Sequence, residues 1–240
     1  MFLQNIRIIL CRASEPGNAG AVCRAMKNMG LSELRLAAPL PMDTEKISAR
    51  AVHAWDIWEN AKIYDSLAEA AADCSVLVGT TRRRGHHRKS ISMTPRTLAA
   101  WLAEYPGTAG IVFGNERTGL EDSELELCNI ASHIPVSDTQ PSINLSHAVQ
   151  IYAYELFMAL ETQNPVKGDW HAMNQAEISA IVGSITDSLS NMGFYKYPGR
   201  KEQGNFFRDV ISRAGLTERE GRYFRDIIVK AARLAGMQHG

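Results

Sequence analysis

Three short segments of this chain hold residues whose types and spacing suit chemistry rather than core-building. The first runs Glu15-Pro16-Gly17-Asn18-Ala19-Gly20 and continues through Ala21-Val22-Cys23 to Arg24. Two glycines around an asparagine predict a tight turn, with Asn18 capping the helix that follows. Arg24 falls roughly one and a half helical turns beyond Asn18. Taken alone, this segment reads as an ordinary strand-to-helix turn with a solvated arginine. The second segment runs Ile111-Val112-Phe113-Gly114-Asn115-Glu116-Arg117-Thr118-Gly119-Leu120. Its apolar residues lead straight into Gly114, so a backbone without a side chain is expected at a strand's carboxyl end, where open α/β sheets bind ligands. Glu116 offers a carboxylate there, placed to accept a hydrogen bond from a neighbour or from a ligand. The third segment is Ile134-Pro135-Val136, a polar stretch, and then Pro141-Ser142-Ile143-Asn144-Leu145-Ser146 at the start of a long helix. Ser142 or Asn144 can cap that helix, and the exposed amides of a helix start attract electron-rich ligand atoms.

Several chemistries are disfavoured. Neither glycine-containing segment fits G-x-G-x-x-G or ends in G-K-[ST], which argues against dinucleotide or nucleoside triphosphate chemistry. Cys11, Cys23, Cys74 and Cys128 form no C-x-x-C pair and have no histidine at metal-ligand spacing, so they are expected to be buried thiols and no metal is expected.

The elements that must position these segments follow from periodicity. Short apolar runs predict strands at Ile6–Leu10, Leu34–Ala37, Ser75–Thr80, Gly110–Phe113 and Ile130–Val136. Between them lie helices near Gly20–Met29, Ser66–Ala72, Arg96–Glu104 and Asp122–Cys128, and a long one over Asn144–Glu161 closes the unit. This alternation implies an α/β fold with a mainly parallel sheet and helices on both faces. A polar stretch around 164–170 reads as a linker between a domain over 1–163 and a small all-helical extension over 171–240. Tyr223, Phe224, Ile227, Ile228, Ala231 and Leu234 give the last helix one apolar stripe. The extension is small for an independent core and is expected to lean on another surface.

The net charge of zero hides an asymmetry. Residues 1–164 carry 15 Lys and Arg against 18 Asp and Glu, whereas 165–240 carry 11 against 8. The densest basic run, holding Arg82, Arg83, Arg84, Arg88 and Lys89, reads either as a solvated loop or as a phosphate-binding patch. The longest apolar runs, Ile6–Cys11 and Ile151–Leu160, are too short or too interrupted to span a bilayer. Asn5 and Arg7 interrupt any secretory signal, so a cytoplasmic location is expected.

In this order and at these separations, the three segments resemble the three sequence motifs of the SpoU/TrmH branch of the SPOUT methyltransferases. The likeness covers Gly17-Asn18-x-Gly20-x-x-x-Arg24-Ala25-Met26-Lys27-x-Met29-Gly30, Phe113-Gly114-x-Glu116-Arg117-x-Gly119-Leu120 and Asn144-Leu145-x-x-Ala148-Val149-Gln150. It is strong over 1–162 and looser over 163–240, and it looks most like the bacterial members that methylate the ribose of nucleotide 32 in tRNA. The resemblance implies a deep C-terminal trefoil knot threaded by the segment around 110–160, which bottom-up reasoning would have excluded. It implies a homodimer in which the partner chain completes each active site. S-adenosyl-L-methionine would be held through Thr80, Gly114, Ile134, Val136, Ser142 and Leu145. Arg24, Asn18, Glu116, Ser142 and Asn144 would face the reaction, and tRNA would be gripped by the 82–89 loop and the basic tail (Lys196, Arg200, Lys201, Arg222, Arg225, Lys230).

Methyl transfer to a 2′-hydroxyl requires that a poor nucleophile lose its proton. Arg24 suits stabilisation of the developing alkoxide better than proton removal, because a guanidinium is not readily deprotonated in a protein. Two alternatives stand beside this reading. One is a ribosomal RNA 2′-O-methyltransferase, whose larger relatives often carry an N-terminal RNA-binding domain; here the first strand begins at once. The other is a non-catalytic RNA-binding module, which the intact Asn18, Arg24, Glu116, Ser142 and Asn144 set disfavours.

Overall fold

The computed structural model describes residues 1–81, 92–161, 171–195 and 199–237. Among these, seven strands form one parallel sheet: β1 (Ile6–Cys11), β2 (Leu34–Ala37), β3 (Lys62–Tyr64), β4 (Val76–Thr80), β5 (Ser92–Met93), β6 (Ala109–Phe113) and β7 (Ile130–Ser132). Their spatial order is β3-β2-β1-β6-β4-β7-β5. The helices of this part are α1 (Pro16–Asn28), α2 (Thr44–Ala51), α3 (Trp55–Glu59), α4 (Leu67–Ala70), α5 (Pro95–Glu104), α6 (Asp122–Leu127) and α7 (Leu145–Glu161).

Strand residues alternate between two cores, as a period of two demands. Ile8, Leu10, Val78, Ile111 and Phe113 pack with Val22, Met26, Leu98, Leu102 and Tyr152 from α1, α5 and α7. Ile9, Cys11, Leu77 and Val112 pack with Leu67, Ala70 and Leu125 from α4 and α6. Both faces are covered, which explains why the central strands read as unbroken apolar runs. The four cysteines are free and buried; burial pushes the Cys74 thiol up to about 12.

The five strands read from the sequence are present, with one correction. The run from Ile130 leaves the sheet after Ser132 rather than at Val136. Its neighbour β5 is only two residues long, and Pro135 has no N–H to offer a ladder. Strands β3 and β5 carry no apolar alternation and were not legible. Helices α2 and α3 also went unread, although Asp43 accepts from the amides of Glu45 and Lys46 in the manner of an N-cap.

Strand β6 lies between β1 and β4, and α7 returns from beyond β7 to pack against α1 and α5. This arrangement fits the trefoil knot that the resemblance implies.

The extension consists of α8 (Gln175–Asn191), α9 (Arg200–Ala214) and α10 (Glu218–Met237). It has its own small core of Met173, Ile178, Ile181, Val182, Ile185 and Ile211. The expected stripe on α10 is split: Phe224 and Ile228 pack onto this core, while Tyr223, Ile227 and Leu234 stay exposed. Adjacent residues sit about 100° apart on a helix, so the face toward α8 takes only part of the stripe.

The extension does lean on the sheet, through buried polar contacts. Gln175 donates its backbone N–H to Cys74 O at 2.7 Å. Its Nε2 donates to Ser75 O at 3.1 Å and to Asn129 Oδ1 at 2.9 Å. Ser212 Oγ donates to Ser75 O at 2.7 Å, and Tyr105 Oη to Ser212 O at 2.8 Å. Ser75 and Asn129 immediately precede β4 and β7, so the extension docks at the amino ends of the strands. The linker expected at 164–170 lies outside the described residues.

Candidate active site

The carboxyl ends of β4, β6 and β7 open together into a cavity of about 250 Å³. Neighbouring parallel strands deliver chain to the same edge, where ligands of open α/β sheets sit. Thr80 ends β4, and its Oγ1 donates to Val112 O at 2.9 Å, tying two strand ends together. Gly114 follows β6. A Cβ there would lie 2.0 Å from Gly119 C and 2.1 Å from Leu120 N, so no other residue lets the loop fold back on itself. Gly119 takes φ +71°, the left-handed conformation that glycine adopts without strain. Ile134 and Val136 come from the chain leaving β7, and Leu145, Ala148 and Tyr152 descend one face of α7.

The loop between Gly114 and Leu120 is held by the chain after β1. Asn115 Nδ2 donates to Arg12 O at 2.8 Å, and Asn115 Oδ1 accepts from Arg117 N at 3.0 Å. Glu116 accepts from Ser14 Oγ at 3.0 Å, Ser14 N at 3.4 Å and Glu15 N at 3.2 Å. Arg12 adopts φ +52°, a strained value for a residue with a side chain. From there its guanidinium reaches Gly119 O at 2.9 Å and both carboxylate oxygens of Glu124 at 2.9 Å. The Glu124 hydrogen bond raises the Arg12 pKa further.

The third segment closes the arrangement. Asn144 caps α7: its Oδ1 accepts from Ser146 N at 2.9 Å and from Ser146 Oγ at 2.7 Å. Its Nδ2 donates to Asn18 Oδ1 at 2.9 Å. Asn18 is not the cap expected from the sequence, because α1 begins two residues earlier, with Pro16 in its first turn. Proline at a helix start is preorganised there, so Gly17, Asn18 and Gly20 are helical rather than a tight turn. The Asn18 side chain is thereby freed to bind Asn144.

Thr80, Gly114, Ile134, Val136, Ser142, Leu145 and Glu116 therefore line one cavity, and Asn18 and Asn144 are joined to each other. Arg24 is exposed on α1 and does not line that cavity. The loop bearing Arg82, Arg83, Arg84, Arg88 and Lys89 lies outside the described residues, as does Lys196. Among the remaining basic tail residues, Arg200 pairs with Asp187, Arg222 with Glu218, Arg225 with Asp226, and Lys201 with Glu126 at 2.8 Å.

Sequence reasoning passed over Arg12, Asn115 and Tyr152. Tyr152 lines the cavity and donates to Ser132 Oγ at 2.8 Å; burial pushes its pKa up, keeping the hydroxyl neutral. Its spacing from Leu145 and Ala148 was the available signal. Arg12 had none, since its role depends on an unusual backbone angle.

Residues 5–154 match the sequence model of the SpoU rRNA Methylase family. The chain belongs to that family. It is a methyltransferase by that membership, as its three motifs had indicated. A Salmonella choleraesuis protein named tRNA (cytidine/uridine-2′-O-)-methyltransferase TrmJ is 37% identical over 219 residues, 88% of this chain and 90% of that protein. An uncharacterized tRNA/rRNA methyltransferase of Haemophilus influenzae is 42% identical over 165 residues, 69% of this chain and 68% of that one. Among solved structures, TrmJ from Z. mobilis ZM4 superposes with TM-score 0.77 at 30% identity, covering 94% of this chain and 98% of its own. Among the described residues, no helix is long and apolar enough to cross a membrane, and no group of three or more His, Cys, Asp and Glu is placed to hold a metal ion.

Proposed function

We propose that this protein transfers a methyl group from S-adenosyl-L-methionine to a ribose 2′-hydroxyl of tRNA, at nucleotide 32 of the anticodon loop, in the cytoplasm. The observation that carries the reading is the convergence of three distant motifs on one cavity rim. Glu116 binds the second motif to the chain entering α1, and Asn144 binds the third to Asn18. The tRNA assignment over ribosomal RNA is supported by the names of relatives that span most of this chain.

The cavity suits the cofactor. Gly114 and Gly119 let backbone amides and carbonyls line it without side chains, and Leu145, Ile134 and Val136 give it apolar walls. When bound, S-adenosyl-L-methionine supplies an electrophilic methyl carbon on sulfur. Transfer of that methyl to the 2′-oxygen would release the ribose hydroxyl proton to an adjacent phosphate or to water. This chain's residues orient and stabilise. In this reading Asn18, Ser142 and Asn144 orient the ribose, and alignment of oxygen with methyl carbon supplies much of the acceleration. Arg24, charged and exposed, stabilises the developing alkoxide and a neighbouring phosphate.

Because Arg24 lies away from the cavity of its own chain, we assign it to the active site of a second protomer in a homodimer. The Arg82–Lys89 run serves as a phosphate grip for the incoming RNA.

The test is Arg24→Ala. S-adenosyl-L-methionine should bind with unchanged affinity by calorimetry, while methyl incorporation into tRNA is abolished. Near-normal turnover would remove Arg24 from the mechanism. Mixing Arg24→Ala with an Asn144→Ala chain should restore part of the activity if the site is shared between protomers.

A further inference from the structure

The cavity at the carboxyl end of the sheet has a floor whose hydrogen-bonding character is one-sided. Thr80 and Ser132 are paired in register at the ends of β4 and β7, and Tyr152 reaches Ser132 from α7. All three line the cavity. A hydroxyl has one proton to donate and lone pairs to accept with. Each of these protons is directed into the protein. Thr80 Oγ1 donates to Val112 O at 2.9 Å, Ser132 Oγ to Met93 O at 2.8 Å, and Tyr152 Oη to Ser132 Oγ at 2.8 Å. The order is forced from its far end. Met93 O can only accept, so the Ser132 proton goes there, and Ser132 can then only accept from Tyr152. Neighbouring backbone donors are committed as well: Thr81 N donates to Ser132 O at 2.8 Å and His133 N to Met93 O at 3.0 Å. The three hydroxyls therefore present lone pairs alone to the cavity.

The walls around them are apolar. Phe113 and Tyr152 meet edge to face, with ring centroids 5.5 Å apart and an interplanar angle of 82°. Ile134, Leu145 and Ala148 complete the enclosure. Among the described residues, Glu116 is the only carboxylate lining the cavity, and it is engaged by Ser14 and Glu15 on the loop side. An ammonium group would lose its water at this floor with no counter-charge to replace it, a costly transfer. A neutral planar heterocycle with an exocyclic amine meets both demands. Its faces suit the apolar walls, and its N–H groups suit the lone pairs.

We infer that the Tyr152–Ser132 hydroxyl chain, together with Thr80, reads the 6-amino group of the cofactor's adenine and rejects a 6-oxo purine. The inference rests on the S-adenosyl-L-methionine reading above and adds a specificity determinant on α7 to it. A carbonyl in place of the amine would set oxygen against oxygen and leave the floor without an N–H to accept. A site built to accept from an N–H discriminates in this way against an analogue that lacks it.

Calorimetry on the full-length protein tests this without turnover, using S-adenosylhomocysteine and its 6-oxo counterpart, S-inosylhomocysteine. The parent should bind the amino form about tenfold more tightly. Tyr152→Phe keeps the ring against Phe113 and removes the hydroxyl. Its affinity for the amino form should fall about threefold to tenfold, while the 6-oxo form holds or gains, so the ratio shrinks. Ser132→Ala changes the ratio from the other side. It removes the acceptor of the Tyr152 proton, frees that proton to face the cavity, and should strengthen binding of the 6-oxo form. A purely structural role would weaken both ligands alike, so equal losses for the two forms in Tyr152→Phe would overturn the inference. A parent-like ratio in both variants would overturn it too. A parent that binds the two forms equally removes the amino-group reading and leaves the cofactor reading standing. A parent that binds neither form removes both.

Discussion

Asn144 donates its side-chain N–H to Asn18 Oδ1 at 2.9 Å, across 126 residues of chain. One asparagine thus caps the last long helix of the catalytic unit and holds the first motif. Its two roles can be separated. Asn144→Ser keeps a good N-cap, whereas Asn144→Ala loses both cap and bridge, at a cost of about 1 kcal/mol for the cap. Both variants should lose methyl transfer by about tenfold, but only Asn144→Ala should lower Tm. A double-mutant cycle with Asn18→Ala should give a coupling of about 0.5–1.5 kcal/mol in the transfer rate. Additive effects would mean the contact does not matter to the reaction.

Arg12 holds the 114–120 loop in place. It joins Gly119 O to the Glu124 carboxylate and depends on a strained backbone angle. Arg12→Ala should release the 114–120 loop and weaken S-adenosyl-L-methionine binding about tenfold, equivalent to about 1.4 kcal/mol. Calorimetry checks this, and Glu124→Gln should give a smaller loss in the same direction. Unchanged cofactor affinity in both would reduce the clamp to scaffold.

The glycines of the motifs are not equivalent. Gly114→Ala forces a Cβ to within 2.0 Å of Gly119 C and should abolish cofactor binding. Gly20→Ala meets Ile47 O at 2.3 Å and should destabilise by about 1–3 kcal/mol through overpacking between α1 and α2. Gly17 has nothing within 4 Å of its added Cβ, and Gly17→Ala should leave Tm level or raised. Thermal melts order the three.

Stability should respond to acid through Asp73. The Arg35 guanidinium is almost fully buried, with 4% of its side chain exposed. It donates NH2 to Asp73 Oδ2 at 2.8 Å. Its hydrogen bond holds the Asp73 carboxyl below the ordinary 3.8. A lowered folded value contributes stability that is complete above the unfolded pKa and fades as pH falls through the folded one. Asp73→Asn should therefore cost about 1–2 kcal/mol near neutrality, a figure reduced for the exposure of Asp73. Denaturant melts should show that difference closing below about pH 4. A constant difference down to pH 2 would contradict the assignment.

What the sequence made legible follows from where the signals reside. The central strands are buried on both faces, so β1, β4 and β6 announced themselves as apolar runs, while β3 and β5 lie at sheet edges and read as loop. Gly114 and Asn144 were identified because their roles depend on local backbone and capping chemistry. Asn18 was noticed but misassigned as a cap, because Pro16 starts the helix earlier than two flanking glycines suggest. The Arg12 clamp and the Gln175–Ser75–Ser212 network join residues distant in sequence, and no local pattern encodes such contacts. The network also warns against removing the extension to test its role, since truncation would uncover Cys74, Ser75 and Asn129.

Ribose methylation of tRNA at nucleotide 32 is measured by nucleoside mass spectrometry of RNA from cells with and without the protein. Loss of one 2′-O-methylnucleoside from tRNA, mapped to nucleotide 32 and restored by the parent chain but not by Arg24→Ala, is the predicted result. Unchanged tRNA with a 2′-O-methyl group missing from ribosomal RNA would contradict it.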